Sequence, residues 1–193
     1  MLREVARLRG PAPRARQPRS CGTVLHDNGA MTKTKAATEG PIEFEPEFVT
    51  GLTEIFEERI VFNRVLGLKI TSLRPEGVAA RIEMKQDLVG HFAYQRLHGG
   101  VISASLDAMA GLAVMAAIGA RHMDETPLQR LHRFAKLGTI DLRIDYLRPA
   151  ISSHFELAAE VLRLGSRVAT IRMEFRDAHS QLLSTGAAAY IVS

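Results

Sequence analysis

From Val101 to Ile118 the chain is apolar around the whole circumference of a helix, with Val101, Ile102, Leu106, Met109, Leu112, Val114 and Met115 pointing to all sides. A helix apolar on every side must be covered on every side. A chain of 193 residues provides one domain for the purpose. In so small a domain the cover is a sheet wrapped around one central helix. A bilayer is the other environment that could cover it, but the stretch carries Asp107, Ser103 and Ser105 and falls short of the ~20 clean residues of a membrane span.

The flanking sequence supplies the sheet. Phe48, Leu52, Ile55, Phe56, Ile60 and Val61 recur at helical spacing, so Pro46–Leu66 reads as a helix that Gly67 ends. Leu68–Leu73 and Val78–Met84 read as strands joined by a turn at Arg74–Gly77, and Asp87–Leu97 as a loop. Gly99 and Gly100 open the central helix, and a polar helix over Glu125–Lys136 follows. Ile140, Leu142, Ile144 and Tyr146 then alternate with acidic and basic residues, which places them on one face of a strand. Phe155–Leu164, Val168–Arg176 and Leu182–Val192 read as further strands, consecutive and antiparallel, with hairpin-length connections. The fold class is therefore α+β, with one antiparallel sheet and one buried helix.

Charge is segregated. Residues 1–30 carry six Arg against Glu4 and Asp27, which accounts for the whole formal charge of +4. Residues 31–193 are balanced, and a nucleic-acid surface, which needs a one-signed patch, is not expected on them. Residues 1–45 are rich in Arg, Pro, Ala and Gly and are expected to be a disordered tail ahead of a domain at 46–193. A start of translation at Met31 would remove most of that tail, and a transit peptide is the remaining alternative. The one cysteine, Cys21, excludes an intrachain disulfide, and no Cys/His group has zinc spacing. Neither a metal nor a cofactor is expected.

Two features offer chemistry. Asp107 is the one charge within the apolar helix, and a buried carboxylate is costly unless paired or hydrogen-bonded. It could serve a reaction or bond polar groups at a subunit contact. His98-Gly99-Gly100 stands at the helix start, where unpaired N–H groups and the dipole suit a carbonyl oxygen that becomes an oxyanion. It could equally be a plain turn into the helix. Asp107 lies seven residues beyond Gly100, about 10 Å along the axis. One carbonyl cannot reach both. Two antiparallel copies of the helix would bring the glycines of one subunit to Asp107 of the other, so a C2 homodimer with two composite sites is expected.

The run His98-Gly-Gly-Val-Ile-Ser-Ala-Ser-Leu-Asp107 resembles the motif of hotdog-fold thioesterases of the phenylacetate-pathway-like group. Gly138-Thr-Ile-Asp-Leu-Arg-Ile-Asp-Tyr-Leu-Arg-Pro149 and Gly186-Ala-Ala-Ala-Tyr-Ile-Val192 are similar to two further strands of that group. The resemblance covers residues 46–193 and is strongest to bacterial medium- and long-chain acyl-CoA thioesterases. It implies a cytoplasmic, cofactor-free homodimer, pairing into a tetramer, that hydrolyses acyl-CoA. Asp107 would be general base or nucleophile, and Gly100 with Gly99 would polarise the thioester carbonyl. His98 would order the loop and Thr139 would orient water. Members of the group often carry Asn six or seven residues before the motif histidine; here Phe92 and His91 stand there, and His91 either replaces the amide or leaves that contact unmade. The acyl chain would run beside Val101, Leu106, Phe56 and Ile60, and Arg96, Arg143 and Arg148 are candidates for the CoA phosphates. The segment Ala120–Lys136 is longer than in minimal members and would cover part of the site. Two rivals remain: a non-catalytic acyl-CoA-binding hotdog protein, and a dehydratase built on a His and carboxylate pair. Ser103 and Ser105 lack the elbow motif of serine hydrolases.

Overall fold

The computed structural model describes residues 43–193. The basic tail therefore lies outside the described residues except for its last three. Of these, Phe44 packs its ring 5.0 Å from that of Phe48, and Glu45 pairs with the buried Arg130.

The first helical segment is broken where the periodicity predicts one helix. Helix α1 (Pro46–Glu54) passes into a π-helical turn over Ile55–Arg59, and α2 (Val61–Leu66) follows. The Ile60 N–H donates to Ile55 O at 3.0 Å, five residues back, and Ile60 itself is extended. This leaves the Phe56 carbonyl without its helical donor. The buried Asn63 side chain supplies one at 2.9 Å. Periodicity does not encode that exchange, and such π turns are frequent at functional sites. Gly67 ends α2 at φ +75°, a left-handed cap that favours glycine.

Strands β1 (Lys69–Arg74) and β2 (Gly77–Glu83) form the predicted hairpin. The expected loop contains a small ladder, β3 (Val89–His91) with β4 (Arg96–Leu97). Helix α3 (Gly99–Arg121) is longer than the apolar run. It is long and apolar enough to cross a bilayer, so length does not settle its environment; 72% of its most apolar window is buried inside the protein. Helix α4 (Pro127–His132) opens on a capping box between its N-cap Thr126 and Gln129 in its first turn, and a 3-10 turn (Arg133–Lys136) follows.

Strands β5 (Gly138–Tyr146), β6 (His154–Leu164), β7 (Val168–Asp177) and β8 (Leu182–Ile191) complete one antiparallel sheet in the order β1-β2-β6-β7-β8-β5. The last three form the predicted meander. The expected pairing of β5 with β6 is corrected: β5 lies at the sheet edge against β8, and β6 against β2. The connection 147–153 can span about 23 Å extended, enough to pass the width of two intervening strands. The inner face of the sheet, including Ala80, Ile82, Phe155, Leu157, Ile171 and Met173, packs on α3. This is the hotdog architecture.

Candidate active site

Asp107 sits half-buried on the side of α3 that faces β5 and β8. Thr139 and Tyr190 are direct cross-strand partners in the β5–β8 ladder. The Thr139 hydroxyl donates to Asp107 Oδ1 at 2.9 Å. The Tyr190 hydroxyl lies 2.6 Å from the same oxygen and 2.7 Å from the Asp107 carbonyl oxygen. A β-bulge makes the convergence possible. The register slips between Thr139 and Asp141, so Ile140 is the extra residue. Thr139 then shares its face with Leu142 and Ile144, opposite Tyr190, Ala188 and Gly186. Strict alternation would have put Ile140 inward; the structure leaves it 56% exposed and turns Thr139 in its place.

Tyr190 was not legible as a site residue, because in sequence it is one more aromatic in a strand. Burial, and then its bond with Asp107, push its phenol well above the ordinary tyrosine value, so it stays a protonated donor. Asp107 Oδ2 has no partner among the described residues. The carboxylate thus has one oxygen held and the other free.

A cavity of about 260 Å³ opens beside this group. Phe56 and Ile60, the two predicted acyl contacts from the first helical segment, line it, together with Phe62 and Phe134. The π turn and the break at Ile60 place those side chains there. Val101 and Leu106 are buried in the core and do not line it.

The helix start is a separate place. His98 caps α3: its Nδ1 accepts from the Gly100 N–H at 2.9 Å, which fixes the proton of the neutral ring on Nε2. The Tyr146 hydroxyl donates to the Gly99 carbonyl at 3.1 Å, so the Gly99–Gly100 peptide is held at both ends. The Gly100 N–H is therefore engaged, and the Gly99 N–H is the one without an acceptor among the described residues. Gly90 makes this packing possible. A Cβ there would lie 2.5 Å from His98 Cα, closer than any side chain can come. A cavity of about 520 Å³ beside His98 and Gly99 is lined by Arg96 and Arg148. It shares no residue with the cavity at Asp107.

The remaining candidates lie elsewhere. Arg143 is 76% exposed, pairs with Asp145 at 3.2 Å and lines neither cavity. His91 packs against Tyr94 and Phe92, with its Nδ1 buried and unpartnered among the described residues. Ser103 and Ser105 donate to carbonyls of their own helix, so neither is poised as a nucleophile.

Known proteins resemble this chain in sequence and in fold. The medium/long-chain acyl-CoA thioesterase YigI of Escherichia coli (strain K12) is 34% identical over 139 residues, 72% of this chain and 90% of that protein. A crystal structure from Shewanella oneidensis, described as related to the thioesterase superfamily, superposes with a TM-score of 0.71 at 35% identity, covering 78% of this chain and all of that one. Thioesterase superfamily member 2 of Mus musculus, 19% identical, shares the fold at a TM-score of 0.59 over 75% of this chain and 96% of its own. The family model for the thioesterase superfamily matches residues 94–184, a span that begins just before His98 and contains Asp107 and Thr139. By that match and by the extent of its likeness to YigI, the chain belongs to the thioesterase superfamily.

Proposed function

We propose that this protein hydrolyses medium- or long-chain acyl-CoA to the free acid and CoA. It acts as a C2 homodimer in which each site joins Asp107 of one subunit to the helix start of the other. The observation that carries the reading is the carboxylate of Asp107, held on one oxygen by Thr139 and Tyr190 and free on the other, at the wall of an apolar cavity. Its complement, an unengaged N–H at a helix start beside two arginines, lies in a separate cavity of the same chain. That separation supports the composite site. Likeness to YigI supports the substrate class. A tetramer of two such dimers and a cytoplasmic location complete the reading.

The reaction needs few parts. Asp107 Oδ2 takes a proton from water as the water oxygen bonds to the thioester carbon. The carbonyl pair moves onto oxygen, where the Gly99 N–H of the partner subunit and its helix dipole stabilise it. The C=O bond then re-forms, the C–S bond breaks, and the departing thiolate receives the proton from Asp107. Arg96 and Arg148 supply positive charge for the CoA phosphates. Arg143 is left out of this role by its position.

Thiol release from a series of acyl-CoAs tests the reading. Wild type is expected to turn over and Asp107→Asn to lose activity while retaining acyl-CoA binding. One feature favours the non-catalytic rival, the absence of His91 from both cavities. Tight acyl-CoA binding by a wild type that releases no thiol would establish that rival.

A further inference from the structure

One part of the cavity at Asp107 is bounded by Gly111 and two phenylalanine rings. Ala104, Ala108 and Gly111 recur at helical spacing on the cavity side of α3 and give it a smooth wall. Gly111 lies one turn beyond Asp107, about 6 Å along the axis. A Cβ added at Gly111 would meet the Tyr190 ring at 3.5 Å and the Phe56 ring at 3.8 Å. Phe56 therefore stands at the Gly111 end. Phe134 meets Phe56 edge-on there, with ring centroids 5.5 Å apart at 77°. Phe56 is 2% exposed and backed by the core. Phe134 is half-buried on the 3-10 turn after α4, in the long segment between α3 and β5.

We infer that the Phe56–Phe134 pair, with Gly111 as floor, is the end stop that sets the longest acyl chain the protein accepts. The inference rests on the acyl-CoA reading and gives Phe134, on the segment between α3 and β5, a share with Phe56 in chain-length selection. Gly111 keeps the floor open: an alanine there fits at ordinary contact distance and takes up cavity space.

The test is kcat/KM over saturated acyl-CoAs from butanoyl to octadecanoyl, for wild type, Phe134→Ala and Gly111→Ala. Each methylene added short of the stop raises kcat/KM by about fourfold, the rate equivalent of ~0.8 kcal/mol per buried methylene. Beyond the stop the rise ends. Phe134→Ala is expected to move that break to longer chains and to raise the ratio of long- to short-chain turnover at least about tenfold, two or three methylenes' worth. Gly111→Ala moves the break to shorter chains, and folding is not at risk because alanine is the better helix former. A break at the same length in all three proteins overturns the inference and leaves the thioesterase reading intact. Should wild type turn over no acyl-CoA, that reading fails by itself. Calorimetry of free fatty acids of the same lengths, on the same three proteins, then decides the end stop alone.

Discussion

Replacing Tyr190 by Phe removes one oxygen and keeps the ring that packs beside Gly111. The lost hydroxyl lies 2.6 Å from Asp107 Oδ1, within the range of charge-assisted bonds between a hydroxyl and a carboxylate. It sits on a side chain 5% exposed, where water cannot substitute well. Such a bond contributes about 1.5–3 kcal/mol. If it serves to hold the carboxylate in the reactive orientation, its loss appears in the barrier, as a fall in kcat of roughly tenfold to 150-fold. KM changes little, because the cavity wall is unchanged. Thr139→Ala removes the other donor, which is longer at 2.9 Å and exposed. Its expected cost is smaller, about 0.5–1.5 kcal/mol or roughly twofold to tenfold. The assay is saturating thiol release with one good acyl-CoA, with KM measured alongside. A Tyr190→Phe protein within twofold of wild type, or one less damaged than Thr139→Ala, would refute the orientation argument.

Two further outcomes follow from the packing. Gly90→Ala places a Cβ 2.5 Å from His98 Cα, so the histidine cap must shift; turnover should fall while acid binding in the Asp107 cavity is retained, which separate kinetic and calorimetric measurements will show. Glu45→Gln removes the charge opposite the fully buried Arg130 and should cost about 1–3 kcal/mol by thermal melting, less than the ~3–5 of a fully buried pair because Glu45 is 38% exposed. The Arg130 hydrogen bond holds the Glu45 carboxyl below its ordinary value. Its stabilisation is therefore complete above the unfolded value near ~4.3 and is lost as pH falls through the lower folded one. Wild type should lose stability over that acid window more steeply than Glu45→Gln, and equal slopes would remove the pair from the account.

The elements that were legible in the sequence are those with strong periodicity. The apolar circumference of 101–118 dictated a wrapped helix, and the runs Val78–Met84, Phe155–Leu164, Val168–Arg176 and Leu182–Val192 dictated strands to cover it. What was not legible depends on exceptions to period. The bulge at Ile140 turns Thr139 inward against the alternation, and no residue in the strand marks it. The π turn after α1 depends on Asn63 reaching back to Phe56 O, a tertiary exchange that periodicity does not record. Tyr190 gains its meaning only from the register opposite Thr139. The edge position of β5 follows from a connection whose length permits a crossing without requiring it. At the site, spacing alone separated Asp107 from the glycines, and the two cavities bear the same separation. Which N–H remains free needed coordinates, because the His98 ring engages Gly100 and leaves Gly99.

The composite site can be tested by mixing two inactive proteins. Gly99 is the first residue of α3 and follows an extended His98, a setting that accepts proline. Gly99→Pro therefore removes the N–H with little else, and loss of one such donor lowers kcat by about 100- to 1000-fold. Asp107→Asn removes the base. After unfolding and refolding together in equal amounts, half of the dimers carry one chain of each kind, and each of these has one intact site and one doubly broken. The mixture is expected to recover about a quarter of the wild-type rate. Recovery of no activity, with mixed dimers present by native mass spectrometry, would contradict the claim that each site is built from two subunits.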